Sequence, residues 1–97
     1  MQIKIRFFTN LREIVGKREE TLSFSADVKV SVKIALKVLA EKYGKSFQEY
    51  VFNNQTEVPK AFLQFLINGT STSTLNGLET VLKDGDVLAI LPPVGGG

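Results

Sequence analysis

Val32-Lys-Ile-Ala-Leu-Lys-Val-Leu-Ala-Glu-Lys-Tyr43, closed by Gly44, is the stretch on which the reading of this chain turns. Val32, Ala35, Leu36, Leu39, Ala40 and Tyr43 recur at the three- and four-residue spacings that gather on one side of an α-helix. Ser31 stands where an N-cap hydroxyl can accept from a free backbone N–H, and Gly44 where a helix can end. Lys33, Lys37 and Glu41 point off the stripe. Ile34 and Val38 also fall off it and call for a second cover.

Strands flank this helix on both sides. Ile3, Ile5 and Phe7 alternate with Lys4, Arg6 and Phe8, the period of a half-buried strand. Asn10-Leu-Arg-Glu13 has the form of a capping box opening one helical turn, stopped at Gly16. A second strand is predicted around Glu19–Phe24, with Leu22 and Phe24 inward. Beyond the helix, Ser46-Phe-Gln-Glu49 is another capping-box pattern. It predicts a short helix that lays Tyr50, Val51 and Phe52 against Ile34 and Val38. Asn53-Asn54-Gln55-Thr56 reads as a turn, and Pro59 ends the excursion. Phe62–Ile67 reads as a strand closed by the tight-turn pair Asn68-Gly69. Thr70–Thr74 suits a short edge strand, and Asn76-Gly-Leu-Glu79 a single turn. Asp84-Gly85-Asp86 turns into Val87–Leu91, an almost wholly apolar last strand.

Two strands, a crossing helix, a strand, a short strand and an apolar final strand describe an α+β roll. With a right-handed crossover the last strand lies beside the first, mid-sheet. That arrangement is the β-grasp, the ubiquitin-like roll: a mixed sheet of four or five strands with one main helix on one face. Residues 1–91 form the expected domain and 92–97 an extended tail. If Ile3, Ile5, Phe7, Leu63, Phe65, Ile67, Leu88 and Ile90 face the helix, then Phe8, Phe62, Leu66, Val87, Ala89 and Leu91 face the other way. Lys4, Arg6 and Gln64 join them. Phe8, Leu66 and Leu91 would then make an apolar partner-binding patch.

Composition narrows the chemistry. The 97 residues are 43% hydrophobic and 23% charged, with a net charge of +2 and neither Cys nor His. Disulfides, thiolate nucleophiles, Cys-based zinc sites and His-dependent acid–base catalysis are thereby excluded. Asp27, Asp84 and Asp86 lack calcium-loop spacing, so no metal site is expected. No basic stripe argues for nucleic acid, and no segment is long enough to span a membrane. The N-terminus lacks a signal-peptide core, so a cytoplasmic location is expected. Asn68-Gly69-Thr70 matches a glycosylation pattern and reads here as a turn.

The chemistry is expected in Pro92-Pro93-Val94-Gly95-Gly96-Gly97. The prolines favour a stiff, extended exit. Three glycines then leave bare backbone, and six residues reach roughly 20 Å at about 3.3–3.6 Å each. A terminal carboxylate on such a probe can enter another protein's active site.

The chain resembles the small subunit of molybdopterin synthase and, more widely, the ubiquitin-like sulfur carriers, especially their archaeal branch. The resemblance rests on Phe7-Phe8, Leu11-Arg12-Glu13, Val15-Gly16, Ala35-Leu36 with Leu39, Tyr43-Gly44, Ile67-Asn68-Gly69 and Leu82–Asp86. Its most specific part is Pro92-Pro93-Val94, one variable residue (Gly95), then Gly96-Gly97. It implies that an E1-like adenylating enzyme uses ATP to activate the Gly97 carboxylate. A thiocarboxylate then forms and delivers sulfur to a cyclic pyranopterin held by the large synthase subunit. It also implies that the carrier binds no cofactor of its own, is no catalyst by itself, and is a monomer when isolated. Gly96 and Gly97 would be the reacting end. Phe8, Leu66, Leu91, Pro92, Pro93, Val94 and Gly95 would contact partners.

Rival readings keep the activated tail and change its destination, to protein lysines or to tRNA thiolation. A thiazole-forming carrier fits less well, lacking the Pro-Pro-Val approach. A β-grasp interaction module that never activates its tail is the rival of a different class, and a free-standing enzyme fits least.

Overall fold

The computed structural model describes residues 1–53 and 56–92. Strand β1 (Gln2–Phe7) runs into helix α1 (Thr9–Val15), and Gly16 stops the helix in the left-handed region (φ 79°) with its N–H on the Arg12 carbonyl at 2.9 Å. Strand β2 (Glu19–Ser23), the main helix α2 (Val32–Tyr43) and a short helix α3 (Lys45–Val51) follow. Strands β3 (Gln64–Ile67), β4 (Thr70–Ser71) and β5 (Val87–Leu91) complete one five-stranded sheet in the order β2-β1-β5-β3-β4. β5 pairs parallel with β1 and antiparallel with β3. The sheet is therefore mixed, with the last strand in its centre. This is the ubiquitin-like β-grasp expected above.

The alternation in β1 sets which face is core. Ile3, Ile5 and Phe7 are fully buried, and register carries the same face through Leu88 and Ile90 to Phe65 and Ile67. α2 covers that face with Val32, Ala35, Leu36, Leu39 and Ala40, all buried. Ser31 caps it, its Oγ accepting from Ile34 N at 3.3 Å. Asn68 (φ 51°) and Gly69 (φ 86°) both take the left-handed conformation that a two-residue hairpin turn demands. No helix among the described residues is long and apolar enough to cross a membrane.

Several local expectations are corrected. α1 runs seven residues from Thr9 without a side-chain cap, so Asn10 and Glu13 form no capping box. α3 starts straight from Gly44, whose carbonyl accepts Gln48 N at 3.1 Å, and Ser46–Glu49 form no box either. Nor does α3 seal Ile34, which stays 38% exposed, although Val38 packs partly against the core. It contributes Phe47 and Val51 to the main core instead. Here a larger gain, the complete burial of Phe47, decides how the helix lies. β3 starts two residues late, because Leu63 N closes a turn onto the Lys60 carbonyl at 3.1 Å. The edge strand keeps only Thr70–Ser71, then Thr72–Thr74 tightens into a 3₁₀ turn. Thr56 N bonds the Asn53 carbonyl at 2.8 Å, as a turn would require, while Asn54 and Gln55 lie outside the described residues.

An aromatic column ties the layers together. Phe7 meets Tyr43 edge-on at 6.0 Å between centroids, and Tyr43 meets Phe47 at 6.1 Å. The Tyr43 hydroxyl donates to Glu20, which points inward opposite Ile5 and also accepts from Lys42 at 2.8 Å and Lys17 at 3.0 Å. Burial alone would raise the Glu20 pKa; the hydrogen bonds from Lys42, Tyr43 and Lys17 outweigh it and hold the group at about 2. Burial, reinforced by Glu20, pushes Tyr43 up to about 12. A carboxylate depressed on folding stabilises fully above its ordinary value of 4.5. That contribution fades as pH falls from there towards 2. We expect Glu20→Gln to lose up to about 3 kcal/mol at neutral pH. The variant's urea midpoint should also lack most of the wild-type decline between pH 4.5 and 2. Equal pH slopes in the two proteins would refute the assignment.

Candidate functional site

The sheet face turned away from α2 is built by the residues that alternate with the core. Register places Glu19, Arg6, Ala89, Leu66 and Ser71 in one row across β2, β1, β5, β3 and β4. Lys4 and Val87 lie in the row on one side, Leu91 and Gln64 in the row on the other. Phe8 continues β1 beyond Phe7, level with Leu91 because Phe7 faces Ile90. Phe8, Leu66, Val87, Ala89, Leu91 and Pro92 are all half-buried, since strands under 5 Å apart let neighbouring side chains shield one another. Of the apolar residues in the outward set, only Phe62 stands well clear, at 46% exposure. The face is thus a shallow apolar strip that ends at Pro92.

The β1–α1 junction shapes one end of the strip. Thr9 takes φ 47°, a left-handed conformation uncommon for a β-branched residue. The chain bends there, and the Arg12 guanidinium comes to lie 5.8 Å from the centre of the Phe8 ring. On the β3 side, the Lys60 ammonium lies 5.9 Å from the centre of the Phe62 ring. Reading for strand alternation missed both cations. The available signal was spacing, a cation four residues after Phe8 at a helix start and another two before Phe62.

Asp84 and Asp86 serve the turn before β5. Asp84 accepts Gln2 N at 2.7 Å, while Asp86 accepts Asn68 Nδ2 at 2.9 Å and Lys83 N at 2.8 Å. Asn68 in turn accepts Val87 N at 3.0 Å, so this network aligns the start of the strand that leads to the tail. Among the described residues no group of three or more Asp, Glu, His or Cys could hold a metal ion. A half-open cleft of about 420 Å³ between α2, α3 and the following segment is lined by Lys37, Glu41, Gln48, Phe52 and Glu57. Lys37 and Glu57 pair there at 3.1 Å. Of the proposed reacting and tail residues only Pro92 is described; Pro93, Val94, Gly95, Gly96 and Gly97 lie outside the described residues.

Comparison with known families supplies what this geometry leaves open. The ThiS family matches residues 5–97, nearly the whole chain. The chain belongs to the ThiS family. This ThiS-family chain is 30% identical over its full length to small archaeal modifier protein 3 of Haloferax volcanii, covering all of both chains. It is similar to the solution structure of small archaeal modifier protein 1 from Methanosarcina acetivorans. That match has a TM-score of 0.81 and 37% identity, covering 99% of this chain and 96% of the other. A Pyrococcus furiosus structure, named as a candidate molybdopterin converting factor, subunit 1, superposes with a TM-score of 0.75 and 25% identity, covering 97% and 99%. As a ThiS-family member the chain is a ubiquitin-like protein of the sulfur-carrier and modifier kind, the group its sequence resembles.

Within that family the strip gives a testable division between folding and docking. We expect Leu91→Asp to cost about 1 kcal/mol of stability, the scale of a poor strand former. It should weaken docking on a partner protein about a hundredfold, because a charge would be sealed in an apolar contact. Titration calorimetry and urea melts on one preparation separate the two. Global unfolding of the variant would place Leu91 in the core instead.

Proposed function

We propose that this chain is a sulfur carrier that works through the C-terminal carboxylate of Gly97. A partner adenylating enzyme joins that carboxylate to the α-phosphate of ATP, releasing pyrophosphate and turning a poor leaving group into a good one. The terminal sulfur of a persulfide donor displaces AMP to give an acyl disulfide. A second thiol cleaves its S–S bond, leaving a thiocarboxylate on the carrier and a disulfide on the donor side. The thiocarboxylate delivers its sulfur to a cyclic pyranopterin bound by a large synthase subunit, as a step in making the dithiolene that holds molybdenum or tungsten. The catalytic side chains belong to the partners, and the carrier supplies sulfur and a docking face.

The observation that carries this reading is the family match running through Gly97. The name of the Pyrococcus relative supports the pyranopterin destination. The half-buried strip of Phe8, Leu66 and Leu91 that leads to Pro92 supports docking on a partner protein, whichever the destination. A second reading keeps the activated tail and ends in an amide bond to protein lysines. The relatives named as modifiers, at 30% and 37% identity, favour it specifically. Transfer to tRNA would use the same activated end.

The thiocarboxylated chain separates these destinations. Mixed with the cognate large subunit and cyclic pyranopterin, it should return to the carboxylate while a dithiolene product forms. Mixed with cell extract and ATP, a modifier would instead build higher-mass conjugates whose tryptic peptides carry a C-terminal remnant on lysine. Conjugates without any pyranopterin turnover would replace the first reading by the second.

A further inference from the structure

Two cation–aromatic pairs stand where Pro92 leaves the sheet, Arg12 over Phe8 and Lys60 over Phe62. Register sets them on opposite sides of Leu91. Phe8 follows Phe7, which faces Ile90, whereas Phe62 lies two residues before Gln64, which faces Leu91. A ring face beneath a cation attracts it by about 0.5–1 kcal/mol at an exposed site, which biases the side chain's position without cancelling its charge.

Neither cation is committed to a carboxylate among the described residues. Among the described residues, Lys4, Lys17, Lys37, Lys42 and Lys45 all pair with carboxylates, but Arg12 and Lys60 do not. Arg12 Nε is buried without a hydrogen-bond partner among the described residues. Arg6, on the same outer face, also forms no salt bridge among these residues, since Glu19 is engaged by Lys4 at 3.4 Å. Glu13, exposed and next to Arg12 in sequence, makes none either. Among the described residues, cations without a salt-bridge partner therefore bracket an apolar strip. Its complement is an acidic protein surface with an apolar centre.

We infer that Arg12 on Phe8 and Lys60 on Phe62 form a two-sided basic clamp around the root of the tail. The clamp recognises an acidic segment of the partner protein, with an apolar side chain seated on Leu91 and Leu66 and carboxylates on either side meeting Arg12 and Lys60. This rests on the carrier reading and adds to it the charge pattern of the partner. Three cations are too few for a phosphate-tracking surface, and the two outer ones lie on either side of an apolar residue, which favours protein over nucleic acid.

The test is steady-state activation by the cognate adenylating enzyme, read as pyrophosphate release against carrier concentration. Lys60→Glu and Arg12→Gln are each expected to raise KM for the carrier about tenfold, the worth of one charge-assisted contact, while kcat is kept. Wild-type KM should climb with added NaCl, and the variants should climb less. Lys60→Arg should restore wild-type behaviour, and Lys33→Glu, on α2 across the sheet, should not alter it. Thermal melts check folding, and the Lys60 variants remain decisive if Arg12→Gln misfolds. A wild-type KM and salt slope in Lys60→Glu, with the wild-type chain activated normally, overturns the clamp and leaves the carrier reading standing. No activation of the wild-type chain overturns both.

Discussion

Replacing Gly96 by valine is expected to slow thiocarboxylate formation about a hundredfold or more, the penalty of misplacing reacting atoms by around an ångström. Circular dichroism and the melting temperature should stay at wild-type values. The last strand ends at Leu91, and among the described residues every buried side chain of the core lies at or before Ile90, so the substitution removes none of the packing they form. Activation asks something different of that position. On the carrier reading, the carbonyl next to the reacting carboxylate must pass through a confined channel in the partner, where a branched side chain would widen the backbone and restrict its angles. Single-turnover assays at saturating partner isolate this effect from docking. An unaltered activation rate would show that the tail's lack of side chains is not what the chemistry uses.

Phe7→Ala is expected to destabilise the chain by about 3–5 kcal/mol, the range for emptying a buried aromatic site, whereas Phe8→Ala should lose little stability. The two neighbours differ because strand alternation sends them to opposite faces. Phe7 is fully buried against Tyr43 under α2, and Phe8 is half-buried beneath Arg12 on the face without helices. Losing Phe7 also removes an edge-on aromatic partner from the column that carries the Tyr43–Glu20 bond. Phe8→Ala should instead weaken association with the partner enzyme. Urea unfolding of both variants decides the point. Equal losses would mean that the face opposite α2 is core too.

What could be read from the residues follows from how local the determinants are. α2 begins and ends where its stripe, Ser31 and Gly44 indicate, because periodicity and both boundary residues lie within the segment itself. The inward set Ile3, Ile5, Phe7, Phe65, Ile67, Leu88 and Ile90 was legible for the same reason, since period-two patterns leave no freedom once one face is buried. The capping boxes failed because their spacing is common and tertiary packing chose other entries. α3 follows Gly44 directly so that Phe47 can reach the core. Glu20 was hidden by its type, as a carboxylate at an inward position gains meaning only when Lys17, Lys42 and Tyr43 converge on it from two other segments. The cations beside the tail root were hidden likewise. Whether Arg12 lies over Phe8 depends on the bend at Thr9, which no periodicity announces.

The most direct test of the central claim is an intact-mass measurement after incubation with the cognate adenylating enzyme, ATP and a sulfur donor. The carrier account predicts a gain equal to exchanging one oxygen for one sulfur, confined to the C-terminal peptide and absent without ATP. An unchanged mass, with a control carrier activated in the same mixture, would contradict it and leave a β-grasp interaction module whose tail is never activated.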